Sequence, residues 1–408
     1  MRHPRSRLPC LCLALVALTA VPARGEEPAD ASQPTTDVRD LWRLVRHRDV
    51  DQGPATPQSG KAVVLSPSIG SKPSTGLSGG FTGNTAFFLG DPRTTHPSSF
   101  PGGFRFSQKK QTLGNVKFST FTPGDRWFVQ GDARLSWTSE DTYGLGPRTQ
   151  QASAENVKYD YRRLYGTVYR HVRPGVFVGF GLNVSDHANV RPDTALATRD
   201  QSAYATYSTT HGFAGDGQRS GGTAAALLFD TRDNGINAQR GSLASAAYRT
   251  FFEGFLGGDS AWQELLVDAR TYRKITKDGS QKLAFWFLGD FVTGGTAPYF
   301  DLPTTGGSER SARGYSEGRY RGEHLVYGEV EYRGTLTRSG LLGFVAFLNT
   351  TTLDSLETGD RLFEQYAPGA GMGLRLLLNK RSRTNLCVDY GWGRDGSHGL
   401  YLAIQDAF

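Results

Sequence analysis

Beyond residue 25 the chain has no apolar run long enough to cross a bilayer as a helix, a length of roughly 20 residues. Because backbone crosses lipid only as helices or as a closed barrel, any membrane-spanning form of this chain is a barrel. Cysteine is nearly absent: Cys10 and Cys12 stand among the first residues and only Cys387 follows, which excludes an intramolecular disulfide after the leader. Net charge is small as well. The 46 lysines and arginines include Arg2, Arg5, Arg7 and Arg24 of the first 25 residues, leaving 42 against 39 aspartates and glutamates. That balance is too even to argue for a nucleic-acid partner. The eight histidines form no His-Glu-x-x-His pair, and no phosphate-binding Gly-rich loop occurs. The sequence therefore assigns no catalytic residue, no metal site and no cofactor. His324 and His398 read as surface or lumen residues rather than ligands, and periodicity offers no convincing serine–histidine pair for a barrel phospholipase.

What is present begins with a leader. Arg2, Arg5 and Arg7 precede an apolar run from Leu8 to Val21, and Ala23 and Gly25 stand before Glu26, the pattern of an export signal cleaved after Gly25. Residues 1–25 are read as a signal peptide. Residues 26–60 form a polar lead with a short helix expected over Val38 to His47, aligning Val38, Leu41, Trp42 and Val45 on one face among Arg39, Arg43, Arg46 and Arg48. Two readings stay open for it: a plug or membrane-surface helix, and a solvated linker.

From residue 61 to 408 the chain alternates with period two. In Val176 to Ser185, the side chains Val176, Val178, Phe180, Leu182 and Val184 oppose Phe177, Gly179, Gly181, Asn183 and Ser185. Leu265, Val267 and Ala269 likewise oppose Glu264, Asp268 and Arg270, and Leu386, Val388, Tyr390 and Trp392 oppose Cys387 and Asp389. Alternation alone fits a soluble sandwich as well. Aromatic residues near strand ends (Trp127 and Phe128, Tyr159 and Tyr161, Tyr165 and Tyr169, Tyr390 and Trp392) point instead to interfacial girdles. Tight turns at Thr122-Pro123-Gly124-Asp125, Arg173-Pro174-Gly175 and Arg338-Ser339-Gly340 interleave with the long stretches 141–156, 187–221 and 294–322, the asymmetry of a membrane barrel. Glycine, 51 of 408 residues against a usual share of about 7%, is scattered through the strands rather than gathered in linkers. At roughly ten residues per segment, the expected fold is an all-β transmembrane antiparallel β-barrel of about 16 strands. At its start, residues 62–70 and 75–89 are either two strands or a linker and one. Arg163 is expected to face lipid unless its strand is bulged.

One stretch stands out. Gly306-Gly307-Ser308-Glu309-Arg310-Ser311-Ala312-Arg313-Gly314-Tyr315, followed by Gly322-Glu323-His324, returns into the strand Leu325 to Arg333. There Val326, Gly328, Val330 and Tyr332 suit lipid while Tyr327, Glu329, Glu331 and Arg333 suit water. Arg310, Arg313, Arg319 and Arg321 lie beside that acidic face, so a buried arginine with a carboxylate partner would pin the long loop in the lumen.

Three stretches carry a resemblance to a known family: Arg313-Gly314-Tyr315 with its flanking Gly306-Gly307 and Gly322-Glu323; Asp230-Thr231-Arg232-Asp233-Asn234-Gly235 through Gly241, whose Asn-Gly suggests a turn with positive φ; and Asp389-Tyr390-Gly391-Trp392-Gly393 through Phe408. Together they resemble the bacterial surface antigen family of outer-membrane barrel-assembly and polypeptide-transport proteins (BamA/TamA-like). The resemblance covers most of the chain from about Thr223 onward. It implies a sixteen-stranded barrel with a weak seam between first and last strands and a lumen-loop motif Arg313, Gly314, Tyr315. It also implies location in the bacterial outer membrane and insertion or translocation of protein or lipid there. Implied partners are outer-membrane lipid, the barrel-assembly machinery that inserts the chain itself, and an unfolded protein or lipid client. Phe408 would be the terminal assembly signal or an aromatic-belt residue.

The chain departs from the family pattern in four places. Residues 26–60 leave no room for periplasmic polypeptide-transport-associated domains before the barrel. Phe347-Leu348-Asn349-Thr350-Thr351 replaces a Phe-x-Asp-x-Gly stretch, so the candidate partners of Arg313 are Asp389, Glu329, Glu331 and Asn349. Ala238 stands where proline is common, and Asp406 where an aromatic residue is common in the last strand. The alternative to a transport role is a passive porin-like channel or structural outer-membrane protein with a fixed loop plug.

Overall fold

The computed structural model describes residues 36–38, 40, 62–193, 201–307, 310–380 and 383–408. The expected leader and most of the expected helix over Val38 to His47 lie outside them. Of the lead, Asp37 Oδ1 accepts from the Asp40 amide at 2.9 Å and Asp40 Oδ2 accepts from the Asp37 amide at 3.2 Å, the reciprocal pairing that caps a helix start.

The remainder is a closed antiparallel barrel. Its staves are β1 (Ala62–Lys72), β2 (Gly76–Phe87), β3 (Ser98–Ser99 and Gly102–Ser107), β4 (Thr112–Phe121), β5 (Trp127–Thr142), β6 (Glu155–Arg173), β7 (Val176–Pro192) and β8 (Gly217–Asp230). There follow β9 (Gly241–Phe251), β10 (Trp262–Lys274), β11 (Gln281–Gly295), β12 (His324–Thr335), β13 (Leu342–Leu353), β14 (Ala367–Asn379), β15 (Thr384–Gly393) and β16 (His398–Ile404). The two pieces of β3 run along β2 through Ala86↔Ser99 and Gly83↔Gly102. Between them Pro101 has no amide to donate, which interrupts the ladder without ending the stave. With β3 counted once the barrel has sixteen strands, and both segments at its start are strands.

The period-two pattern dictates which side chains face out. Val178, Phe180 and Leu182 of β7 are exposed on the outer wall while Phe177, Asn183 and Ser185 are buried inside. On β12, Tyr327, Glu329, Glu331 and Arg333 are buried and the side chains between them are not. Turns cluster at one end of the barrel and the connections β5–β6, β7–β8 and β11–β12 at the other. The strands reach further into those connections than the sequence suggests: β6 has 19 residues and β7 has 17. The β7–β8 connection also contains a helix, α1 (Ala203–Thr210), whose N-cap Ser202 accepts from the Ala205 amide.

Four expectations are corrected. Tyr159, Tyr161 and Tyr165 of β6 line the lumen instead of a girdle, and buried Tyr169 stacks on Phe128, because Leu164 and Val168 claim the outer face. By the same parity Arg163 faces inward, 3.9 Å above the Tyr165 ring and 3.9 Å from Asp132. Its neighbour Arg162 takes the outer face and pairs with Asp186 at 3.3 Å. The register shifts of this hairpin lie elsewhere, at Lys158/Asp160 and His171/Arg173. The Asp230–Gly241 connection turns without positive φ at Asn234-Gly235. Asn234 Oδ1 accepts from the Ile236 and Asn237 amides instead, a side-chain-built turn. Finally, the last strand ends at Ile404. Gln405 adopts φ 87° and Asp406, Ala407 and Phe408 are buried in the barrel, so Phe408 belongs to no aromatic belt.

Candidate functional site

The β11–β12 connection folds back into the lumen, and its tip is held through both terminal nitrogens of Arg313. Arg313 donates through Nη1 to Asp389 at 2.7 Å and through Nη2 to Glu329 and Glu331. The guanidinium lies 3.7 Å from the centre of the Phe347 ring. Of the four candidate partners, the three carboxylates reach this guanidinium. Asn349 donates instead to the Arg313 carbonyl at 3.0 Å. Buried arginine charge needs this degree of pairing, since desolvating it uncompensated costs several kcal/mol.

Backbone geometry explains the next two residues. Gly314 has φ 112°, and a Cβ there would stand 2.8 Å from the carbonyl of Trp392 on β15. A Cβ on Gly391 would stand 2.7 Å from the Gly314 amide, so tip and wall touch only because both are glycine. The Gly314 amide donates to Tyr401 Oη at 3.0 Å, and that hydroxyl donates to the Tyr315 carbonyl at 2.9 Å. Tyr315 Oη in turn donates to the Pro368 carbonyl and accepts from the Arg394 amide.

The other loop arginines do not gather on the acidic face of β12. Arg319 donates twice to Thr149 at 2.8 Å. Arg321 reaches Glu140 of β5 and the Tyr299 carbonyl. Arg310 donates to the carbonyls of Gln405 and Asp406. The place beside Glu331 belongs to Arg333 of the same strand, at 2.5 Å.

Several contacts have no signal in the motif. Glu317 of the loop pairs with Lys72 at the end of β1 at 2.5 Å and accepts from Ser74. Arg375 of β14 holds Asp389 and, at 2.5 Å, Asp406 of the final segment. A lone arginine at an inward position between Leu374 and Leu376 is the sequence trace of that contact. The Asp406 that departs from the family pattern is its other half. Gly76-Leu77-Ser78-Gly79-Gly80 has the letters of a nucleophile elbow but lies inside β2. Ser78 Oγ there donates to the Gly70 carbonyl at 3.1 Å, whereas an elbow sits on a strand-to-helix turn.

First and last strands meet weakly. Among the described residues one register pair, Ser71↔Leu402, joins β1 to β16, whereas β1 and β2 pair from Ala62↔Ala86 to Lys72↔Gly76. The loop holds both sides of this seam, through Glu317 on Lys72 and through Gly314 and Tyr315 on Tyr401.

The Omp85 superfamily domain matches residues 98–397, well over half of the chain. The chain belongs to the Omp85 superfamily. This agrees with the resemblance carried by the three motifs. No curated protein matches it. Among solved structures it is similar to BamA from Haemophilus ducreyi lacking POTRA domains 1–3, at 13% identity and TM-score 0.57, covering 85% of this chain and 70% of that one. It is also similar to CdiB from Acinetobacter baumannii, at 11% identity and TM-score 0.54, covering 85% of this chain and 60% of that one. CdiB from Escherichia coli aligns at 14% identity and TM-score 0.55, covering 84% of this chain and 63% of that one. This Omp85 chain thus spans less than two thirds of the CdiB structures, and identities this low establish a shared barrel fold.

Proposed function

We propose that this Omp85 barrel resides in the outer membrane and assists insertion or translocation of protein or lipid, with the β1–β16 seam as its moving part. The observation that carries the reading is the single register pair Ser71↔Leu402 at the seam, braced from inside by a loop bonded to both edges. Among the described residues nothing pairs with this edge of β1 before Ser71, and a sheet edge offers amides and carbonyls to an incoming extended strand. The superfamily resemblance supplies the class of client.

The test is a reversible lock. In a Cys387→Ser background, Ser71→Cys with Leu402→Cys places two thiols on a cross-strand pair. Vesicles carrying the reduced protein should speed the folding of an added unfolded outer-membrane barrel, and oxidation should remove that gain until reductant restores it. Equal activity in oxidised and reduced forms would sink lateral opening.

A second reading, a passive channel with the loop as fixed plug, draws on the polar cavity of about 260 Å³ between the loop and the walls of β5, β6 and β10. A large steady planar-bilayer conductance, indifferent to Arg313→Ala, would favour it.

A further inference from the structure

Among the described residues nothing pairs with the β16-facing edge of β1 before Ser71. The chain past Leu402 runs toward that edge, yet at Gln405 it turns away with φ 87° and enters the lumen. Forgoing ladder hydrogen bonds requires a compensating site, and the turn end of the lumen contains one. Asp406 Oδ1 accepts from Arg375 Nε at 2.5 Å and Oδ2 accepts from Asn385 Nδ2 at 3.0 Å. The Phe408 ring lies 5.1 Å from that of Trp286 and 6.2 Å from that of Tyr272. Arg333 Nη2 donates to the Phe408 carbonyl at 2.9 Å while its guanidinium sits 5.1 Å above the same ring.

We propose that this lumenal pocket is a binding site for short peptide segments in which a carboxylate precedes an aromatic ring by two residues, and that residues 405–408 are its intramolecular occupant. The pocket walls are fixed independently of the occupant. Arg375 is also held by Asp389, Arg333 by Glu331, and Trp286 Nε1 by Asp268 at 3.0 Å. Withdrawal of the segment would therefore leave a preorganised cradle with its guanidinium groups already aimed and its Trp286 ring held by Asp268 and by the edge of Tyr327, the condition under which a replacement peptide binds at low ordering cost. Arg333 Nη1 is buried without an acceptor, so the guanidinium that holds the Phe408 carbonyl has a donor to spare. Segment and cradle recognise each other by charge and ring, so a second segment of the same chemistry competes for the place. This site goes beyond the transport reading and would exist equally in a passive channel.

Cys387 reports on it. Its thiol is fully buried, 3.9 Å from Asp406 Oδ1, so the segment covers it. In the full chain with Cys10→Ser and Cys12→Ser, a small thiol reagent should label Cys387 slowly. Phe408→Ala should speed labelling about tenfold or more, the factor one lost aromatic contact set supplies, and Trp286→Leu should do the same from the pocket side with the segment unaltered. Added Gln-Asp-Ala-Phe peptide should restore protection to the Phe408→Ala protein, and Gln-Asn-Ala-Ala should not. Electrophoretic mobility of the unheated barrel checks that each variant is folded. Unchanged labelling in both folded variants would overturn the occupancy. Release that neither peptide reverses, or that both reverse equally, would overturn the binding site.

Discussion

Arg313 Nη1 and Asp389 Oδ2 meet at 2.7 Å with neither side chain reaching solvent. The other oxygen of Asp389 is taken by Arg375, which also grips Asp406. Loop tip, barrel wall and final segment are therefore joined in one alternating row of charges, Arg313–Asp389–Arg375–Asp406. In this row the inner members Asp389 and Arg375 each have an opposite charge on both sides, and removing one member leaves its neighbours less compensated in burial.

Replacing Arg313 tests that cost. Arg313→Ala leaves Glu329, Glu331 and Asp389 facing one another, and the barrel should lose on the order of 3 to 5 kcal/mol, read as the urea midpoint of the folded band in lipid vesicles. Arg313→Lys keeps the charge but not the planar fork that reaches three carboxylates, so its midpoint should fall between the two. An Ala variant with the wild-type midpoint would mean that the tip sits elsewhere in the membrane.

The contact of tip and wall is steric as well as ionic. Gly314→Ala places a methyl 2.8 Å from the Trp392 carbonyl at a positive φ, and Gly391→Ala places one 2.7 Å from the Gly314 amide. Both should lift the tip and open the loop to protease added on the loop side. Gly166→Ala on β6, where a Cβ meets nothing within 4 Å, should leave protection intact. Equal protection in all three proteins would refute the close approach.

These contacts also mark how far the sequence can be read. The outward row Val178, Phe180, Leu182 is legible because each side chain's fate is decided by its own polarity, and Glu329 and Glu331 declare the inner face of β12 in the same way. Strand β6 declares nothing, since Arg162 and Arg163 are adjacent and tyrosine suits a girdle and a wet lumen alike. Its parity depends on Asp132 across the sheet, which no local pattern contains. The inward turn at Gln405 is harder still: it depends on Arg375, Arg333 and Trp286, drawn from three other strands. Only the misfit of Asp406 in a terminal strand hints at it. The loop arginines illustrate the same limit, because four similar residues within a dozen positions find four different sets of partners: the final segment, the β12 and β15 walls, the β5–β6 connection and β5.

Lys72 and Glu317 offer the sharpest separation of stability from seam control. Their ion pair of 2.5 Å is partly exposed, with 40% and 29% of the side chains accessible. Exposed pairs contribute at most about 1 kcal/mol, so Lys72→Met and Glu317→Gln should barely move the urea midpoint. The pair nevertheless ties the loop to the end of β1, one residue beyond the single register pair of the seam. Amide hydrogen exchange at Ser71 and Leu402 should therefore quicken in either variant and no further in the double variant, since both remove the same tie. High salt should reproduce the effect in the wild type, because at 1 M the screening length falls to about 3 Å. Additive single effects, or exchange that quickens in the loop while Ser71 and Leu402 stay protected, would show that the loop does not brace the seam. The barrel would then have to be held shut by the strands alone.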